Sequence, residues 1–311
     1  MATEILMLNP LYEPTQAALE AGHTCHKLWE AADPAARLRE LAHIEVCTSQ
    51  SGAGIDAATM DALPNLKLVS NFGVGLDTYD LKDCTRRGVT VTNTPDVLTL
   101  DVADMALALL LGVVRQVPYG DRFVREGRWR AGNMRLTQTM QDKKIGIVGM
   151  GRIGQAIASR CLAFQTEIAY FGPRRKTDLD YRYFDDIVAL GRWADVLIAA
   201  CPGGPATYRV VSRDALAALG PEGIFVNIAR GSVVDQDALI ELLSTSQLAG
   251  AGLDVFDNEP DVPDSLKAME QVVLAPHQGS ASVRTRLAMG QLVIDNIAAW
   301  FAGKPLVTPA N

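Results

Sequence analysis

An apolar run, Ile145-Gly146-Ile147-Val148, leads straight into Gly149-Met150-Gly151-Arg152-Ile153-Gly154, and a helical run, Gln155 to Phe164, leaves the last glycine. No other feature of the 311-residue chain restricts its fold as much. A Gly-x-Gly-x-x-Gly pattern alone is a weak signal. Set between a buried strand and a helix, it marks the first βα turn of a dinucleotide-binding unit. Gly149 permits the tight turn, Gly151 lets the backbone approach a pyrophosphate, and Gly154 lets helix pack on strand. The amides at the helix start then face the anion, where the helix dipole adds to the attraction. The bland alternative is a glycine-rich turn with no ligand.

The residues after the next strand, Ile168-Ala169-Tyr170-Phe171, bear on which dinucleotide is held. An NAD site usually carries an acid about 20 residues on, to accept hydrogen bonds from the adenosine ribose. Here Arg174 stands twenty residues after Gly154, followed by Arg175 and Lys176. A carboxylate would repel a 2′-phosphate, whereas a guanidinium grips it with parallel charge-assisted hydrogen bonds. The expected cofactor is therefore NADPH in preference to NADH, the plain alternative being a solvated basic loop.

Around this motif the chain alternates strand and helix signals, which implies βαβ units and parallel sheets. Leu28 opens one alternation; Ile44–Cys47 and Leu66–Val69 read as strands, followed by the turn-formers Ser51-Gly52-Ala53-Gly54 and Gly73-Val74-Gly75. After Pro95-Asp96, residues Val97 to Val114 read as one long apolar helix, then an aromatic and basic connector, Phe123 to Leu136. The alternation resumes through Val272-Val273-Leu274 and ends in a helix from Ser282 to Phe301. The expected fold is α/β: two doubly wound parallel-sheet domains, Rossmann-like and flavodoxin-like, with a cleft between them. Residues 99–283 would be the dinucleotide-binding domain, and 1–98 with 284–311 the substrate-binding one. About 150 residues per domain gives the same count of two.

Composition narrows the function classes. With 29 basic against 36 acidic residues the net charge is −7, which argues against a nucleic-acid-binding surface. The longest apolar stretch, Met105 to Val114, is about half the length a membrane span requires. The start, Met1-Ala2-Thr3-Glu4, carries an acid where a secretory signal carries base. Five cysteines, none in a Cys-x-x-Cys pair or at metal-ligand spacing, fit a reduced, cytoplasmic protein without a metal.

Of four histidines, His23, His26 and His43 have no neighbouring motif and read as surface or packing residues. His277 differs, because it closes a buried strand in Ala275-Pro276-His277-Gln278-Gly279-Ser280, and ligands of open α/β sheets collect at carboxyl ends of strands. Two other strand ends carry Arg230, after Phe225-Val226-Asn227-Ile228, and Glu259, after Gly252-Leu253-Asp254-Val255-Phe256. Reducing a 2-keto acid requires a held carboxylate, a polarised carbonyl and a proton delivered as hydride arrives. Arg230 can do the first two with its fork of donors. His277 can deliver the proton. Glu259 can orient the ring and favour its protonated form. Singly, Glu259 could be a loop acid and Arg230 could bond a helix C-terminus.

Taken together, Gly73-Val74-Gly75-Leu76-Asp77, Thr92-Asn93-Thr94-Pro95, Val102-Ala103-Asp104, the glycine fingerprint, Asn227-Ile228-Ala229-Arg230-Gly231, Gly252-Leu253-Asp254-Val255-Phe256 and Pro276-His277 resemble the D-isomer-specific 2-hydroxyacid dehydrogenases over nearly the whole chain. The stretch Arg128-Trp129 through Leu136-Thr137 to Gly154 is most similar to the NADPH-preferring glyoxylate, hydroxypyruvate and hydroxyphenylpyruvate reductases. The resemblance implies further roles. The amides of Val74 and Gly75 would hold the substrate carboxylate beside Arg230. Asp254 would lie by the nicotinamide carboxamide and Arg152-Ile153 by the pyrophosphate. Cys201, Pro202, Thr207, Ile228, Ala229 and Gly279 would line the cofactor. It also implies a homodimer formed through the helix after Pro95 and the connector holding Trp129.

Met150 stands where relatives usually carry Leu, a volume-conserving change. Gln278 stands where many have an apolar residue. Phosphoglycerate dehydrogenases often add a further domain after the last helix, and formate dehydrogenases carry Gln at the position of Glu259, so both branches fit less well. Other keto acids, such as hydroxyphenylpyruvate or 2-ketogluconate, stay open. A nucleotide-sensing corepressor of the same fold would keep the same triad.

Overall fold

The computed structural model describes residues 3–311; Met1 and Ala2, the first half of the Met1–Glu4 start, lie outside the described residues. The chain divides into two compact units, one running to Leu98 and resuming at Ser282, the other spanning Thr99–Ala281.

In the first unit β1 (Glu4–Met7), β2 (Thr24–Lys27), β3 (Val46–Gln50), β4 (Leu68–Phe72) and β5 (Thr90–Thr92) form a parallel sheet ordered β2-β1-β3-β4-β5. Its core gathers Leu6, Ile44, Leu63, Leu66, Val69 and Val91. The final helix, Val283–Phe301, packs on β4 and on the helix Glu13–Gly22, and Ser282 caps it by accepting the Thr285 amide at 3.2 Å.

Three readings shift here. The strands expected at 44–47 and 66–69 begin two residues later, because the Ile44 and Leu66 amides close turns onto Leu41 and Leu63 instead of joining the ladder. Leu28 does not open a strand. It starts a single 3-10 turn, and the strand is the preceding Thr24-Cys25-His26-Lys27, an edge strand whose polar side chains hide the alternation. The long helix starts at Thr99 instead of Val97, whose amide turns back onto Pro95.

The second unit holds β6 (Lys144–Val148), β7 (Glu167–Phe171), β8 (Arg182–Phe184), β9 (Val196–Ala199), β10 (Ile224–Asn227), β11 (Gly250–Leu253) and β12 (Val272–Leu274). All are parallel, in the order β12-β11-β10-β9-β6-β7-β8. The chain moves from β6 to β7 and β8 on one side, then returns to β9 on the other. That reversal places the topological switch point between β6 and β9, where connections leave in opposite directions and a crevice opens at the carboxyl ends.

The helix Thr99–Val114 covers β10, β11 and β12 with Val102, Ala106, Leu109, Leu110 and Val113, and it packs on the helix Arg152–Leu162. On the sheet's other face Leu190, Leu216, Leu239 and Leu242 close the core around Leu197 and Phe225. The connector read as Phe123–Leu136 contains more order than its composition suggests. A helix, Val117–Arg125, precedes a 3-10 turn, Arg128–Ala131, and the Arg128 and Arg135 guanidiniums sit over the Tyr119 ring at 5.1 and 4.4 Å. Among the described residues no helix is long and apolar enough to cross a membrane.

Candidate active site

The turn after β6 is built for an anion. Gly149 takes φ 99°, and the helix begins at Arg152 with Gly151 as its N-cap and no side chain on the first amides. The sequence pattern places the start of the helix at Gln155. The helix starts three residues earlier because the first-turn amides need no intrahelical partner, so a glycine there costs little of the usual ladder. Arg152 and Ile153 thus contribute first-turn amides. A Cβ on Gly151 would point into open space, whereas one on Gly154 would clash with the Gly149 carbonyl oxygen. The first glycine leaves room for a pyrophosphate and the second brings the helix close beneath it; these residues fit a dinucleotide.

Cys201, just after β9, packs its backbone against Gly149. Its thiol is pushed up to about 11 by burial, which makes it a neutral packing group. Pro202 follows, and its carbonyl accepts the Thr207 hydroxyl at 2.6 Å, closing the loop over this end of the sheet. After β7, Arg174 and Arg175 are exposed and make no side-chain hydrogen bond or ion pair among the described residues.

Arg230, Glu259 and His277 leave the carboxyl ends of β10, β11 and β12, three adjacent strands. Asn227, fully buried at the end of β10, shapes the first of these turns. Its side-chain oxygen accepts the Ala229 amide at 3.0 Å and its side-chain NH2 donates to the Arg230 carbonyl at 2.9 Å. Ile228 and Ala229 are buried within this turn, and Arg230 Nη1 donates to the Ala229 carbonyl at 2.7 Å.

Asp254 performs a similar service after β11, where the ladder ends at Leu253 instead of continuing to Phe256. Its buried carboxylate accepts the Gln278 amide at 2.6 Å and the Gly279 amide at 2.8 Å, while its carbonyl accepts the His277 amide at 2.9 Å. Burial pushes its carboxyl above the ordinary value, against the pull of the two amides. A carboxylate has about four acceptor sites, so a further donor can still be met there.

His277 does not close a buried strand. β12 is the sheet's edge and ends at a part-exposed Leu274, and His277 lies three residues beyond in a left-handed conformation, φ 54°. That backbone swings the ring to Glu259, whose Oε2 lies 2.7 Å from Nδ1. Glu259 Oε1 accepts the Phe256 amide at 3.0 Å, so the carboxylate is fixed from both sides. Burial raises the Glu259 carboxyl, but the His277 hydrogen bond, the Phe256 amide and the His277 and Arg230 charges outweigh it and hold it below the usual carboxylate range. The carboxylate therefore stays charged through that range and loses its hold on the ring only at lower pH. The His277 side chain is 48% exposed, and its Nε2 makes no hydrogen bond among the described residues.

Val74 and Gly75 follow β4 in the other unit. The Gly73 carbonyl accepts from the Thr94 amide and the Asn71 side chain, both at 3.0 Å, and the Val74 carbonyl accepts from Asn93 at 3.1 Å. In a trans peptide N–H and C=O point opposite ways, so anchoring these carbonyls turns the Val74 and Gly75 amides away from Asn71 and Asn93. The remaining histidines serve packing. His26 and His43 both hold Glu4, at 2.8 and 3.2 Å, and His23 stacks on Phe301.

Sequence reasoning gave no role to Asn71, Asn93, Asn227 or the Phe256 amide. One available signal was a polar side chain in an otherwise apolar strand, Ile224-Phe225-Val226-Asn227, since a buried polar group requires partners.

Residues 107–279 match the profile of the D-isomer specific 2-hydroxyacid dehydrogenase NAD-binding domain. A hydroxyphenylpyruvate reductase of Plectranthus scutellarioides is 44% identical over 99% of both chains. A glyoxylate/hydroxypyruvate reductase of Arabidopsis thaliana is 43% identical over 98% of both. The crystal structure of an NADPH-dependent glyoxylate/hydroxypyruvate reductase from Sinorhizobium meliloti, in complex with NADP and malonate, superposes with a TM-score of 0.94 at 40% identity, covering 100% of this chain and 97% of that one. Strand order, glycine turn and end-to-end likeness agree: the chain belongs to the D-isomer specific 2-hydroxyacid dehydrogenases, a family of NAD(P)-dependent oxidoreductases.

Proposed function

We propose that this protein is an NADPH-preferring reductase that converts small 2-keto acids, glyoxylate and hydroxypyruvate foremost, to D-2-hydroxy acids. The observation that carries the reading is the Glu259–His277 contact of 2.7 Å at the strand ends that also present Arg230. The relatives' activities on glyoxylate, hydroxypyruvate and hydroxyphenylpyruvate support it, as does the NADP in the Sinorhizobium meliloti complex. In this reading residues 99–283 form the dinucleotide-binding domain, and 1–98 with 284–311 the substrate-binding one.

Gly149, Gly151, Arg152, Ile153 and Gly154 would hold the pyrophosphate, and Arg174 and Arg175 the adenosine 2′-phosphate. Cys201, Pro202, Thr207, Ile228, Ala229, Asp254 and Gly279 would border the rest. Bound there, a reduced nicotinamide supplies hydride to the carbonyl carbon of the keto acid. Arg230 would hold the carboxylate and polarise the carbonyl with its charge, the Val74 and Gly75 amides being what the family resemblance adds. His277 gives the Nε2 proton to the carbonyl oxygen, leaving a neutral imidazole whose Nδ1–H stays on Glu259. Hydride plus proton makes the hydroxy acid, and solvent returns the proton to His277.

Glu259→Gln removes the charge that favours the imidazolium. Reduction needs that protonated form, so the basic limb of its pH–rate profile should move to lower pH, and oxidation should keep its rate further into acid. Rate profiles in both directions across pH 5 to 9 check this; a limb that stays put removes the pairing from the mechanism.

The substrate side chain is tested by a panel of glyoxylate, hydroxypyruvate, pyruvate, hydroxyphenylpyruvate and 2-ketogluconate with each nicotinamide. The two small acids should give the highest kcat/KM. A change of one methylene shifts preference by only about 1–3 kcal/mol, so a best substrate among the larger acids would redirect the reading within the family, and no turnover with any would favour a nucleotide sensor. A homodimer is proposed through the helix Thr99–Val114 and the connector, where Trp129 is 64% and Leu136 97% exposed. Five unbridged cysteines are in keeping with a reducing, cytoplasmic setting.

A further inference from the structure

We infer that Tyr170 and Tyr183 are positioning residues that hold the segment Pro173-Arg174-Arg175 ready for an adenosine 2′-phosphate, and so set the preference for NADPH over NADH. The inference rests on the NADPH reading above, and it explains how two exposed arginines can act as a site rather than a solvated loop.

The two tyrosines are register partners on β7 and β8. Partners directly opposite in a sheet project to the same face, and here the rings pack with centroids 5.3 Å apart at 51°. Tyr170 is 1% exposed. A phenol buried that deeply needs a polar partner for its hydroxyl, and it finds one in the loop: the Lys176 amide donates to the Tyr170 hydroxyl at 2.7 Å. The Tyr183 hydroxyl in turn donates to the Gly172 carbonyl at 3.1 Å. One phenol therefore fixes the backbone where the segment begins and the other where it ends. Between these anchors Pro173 has its φ locked by the ring, which leaves Arg174 and Arg175 on a short span with little freedom to rearrange.

The consequence is preorganisation. Two long cationic side chains on a loose loop would lose backbone and side-chain freedom on meeting a phosphate, and that loss would subtract from their attraction. With the backbone already fixed, only the side chains need order. Neither hydroxyl is part of the glycine turn, so the groups that hold the pyrophosphate common to both nicotinamides are left intact when a hydroxyl is removed. The tyrosines should therefore matter for the phosphorylated cofactor alone.

Tyr170→Phe and Tyr183→Phe each delete one oxygen and keep the ring. Each should raise Kd and KM for NADPH about threefold to tenfold, the worth of one hydrogen bond. Values for NADH should stay within twofold and kcat at saturating NADPH should not fall. Inhibition by adenosine 2′-monophosphate should weaken, while inhibition by adenosine 5′-monophosphate should not. Equal losses with both cofactors, or no change with either, would overturn the inference. The double variant Arg174→Ala/Arg175→Ala, run in parallel, separates the two levels. If it loses NADPH selectively while the tyrosine variants do not, the positioning role fails and the cofactor reading stands. If the wild type does not prefer NADPH, both fail together. Thermal unfolding of each variant reports folding, and should Tyr170→Phe not fold, the NADPH-to-NADH ratio of the part-buried Tyr183→Phe decides the matter.

Discussion

His277→Ala is expected to slow keto-acid reduction by roughly 10²–10⁴-fold, the usual worth of a positioned general acid, while NADPH still binds. The ring is held through Nδ1 by a carboxylate at 2.7 Å, and its second nitrogen is the one proposed to meet the substrate oxygen. In the proposed mechanism, deleting it would leave water as the proton source without touching Arg230, the group proposed to hold the carboxylate. The loss should thus fall mainly on kcat. The left-handed backbone at this position, φ 54°, calls for a second variant. Asn tolerates that region better than Ala, so His277→Asn preserves the turn and lacks the acid. If strain alone caused the defect, Asn would restore the rate; the proton-transfer role requires that both stay slow. Steady-state rates, with NADPH binding followed by fluorescence, distinguish these outcomes. Retained activity in both variants would take His277 out of the mechanism.

Arg174→Ala/Arg175→Ala should reverse or erase the cofactor preference. A hydrogen bond to a charged group is worth about 1.5–3 kcal/mol, or roughly tenfold to a hundredfold each. If the two act independently, kcat/KM with NADPH should fall by about 10²–10⁴, with far less change for NADH. Both arginines are exposed, so the contrast is best measured at fixed, moderate ionic strength, where screening does not hide it. Equal losses with the two cofactors would defeat the NADPH assignment, because the arginines would then serve the fold or the shared part of the dinucleotide.

These predictions draw on different amounts of sequence and structure. The glycine turn was readable in full, since Gly149, Gly151 and Gly154 follow from local sterics: a tight turn, an open approach and a close helix each exclude a side chain at one position. The place of Arg174 just past β7 was readable by counting along the chain, because the distance from the turn to the end of the next strand is set by one helix and one strand. Element ends were read less well. The strands near 46 and 68 slid by two residues because hydrophobic pattern continues into turns whose amides bond elsewhere. The edge strand Thr24–Lys27 escaped altogether, since an edge need not bury both faces.

Sequence alone determined the class of fold, the glycine turn and the three chemical groups, because each of these depends on residue type and on local spacing. The tertiary structure decided the pairing. Arg230, Glu259 and His277 lie as much as 47 positions apart, and only the order β10-β11-β12 makes their strand ends neighbours. The supports are of the same kind: Asn227 on the Arg230 turn, Asp254 on the Gln278 and Gly279 amides, and Tyr170 and Tyr183 on the arginine segment. Each is a hydrogen bond whose partner is chosen by the register of parallel strands or the path of a loop. No local propensity encodes that choice.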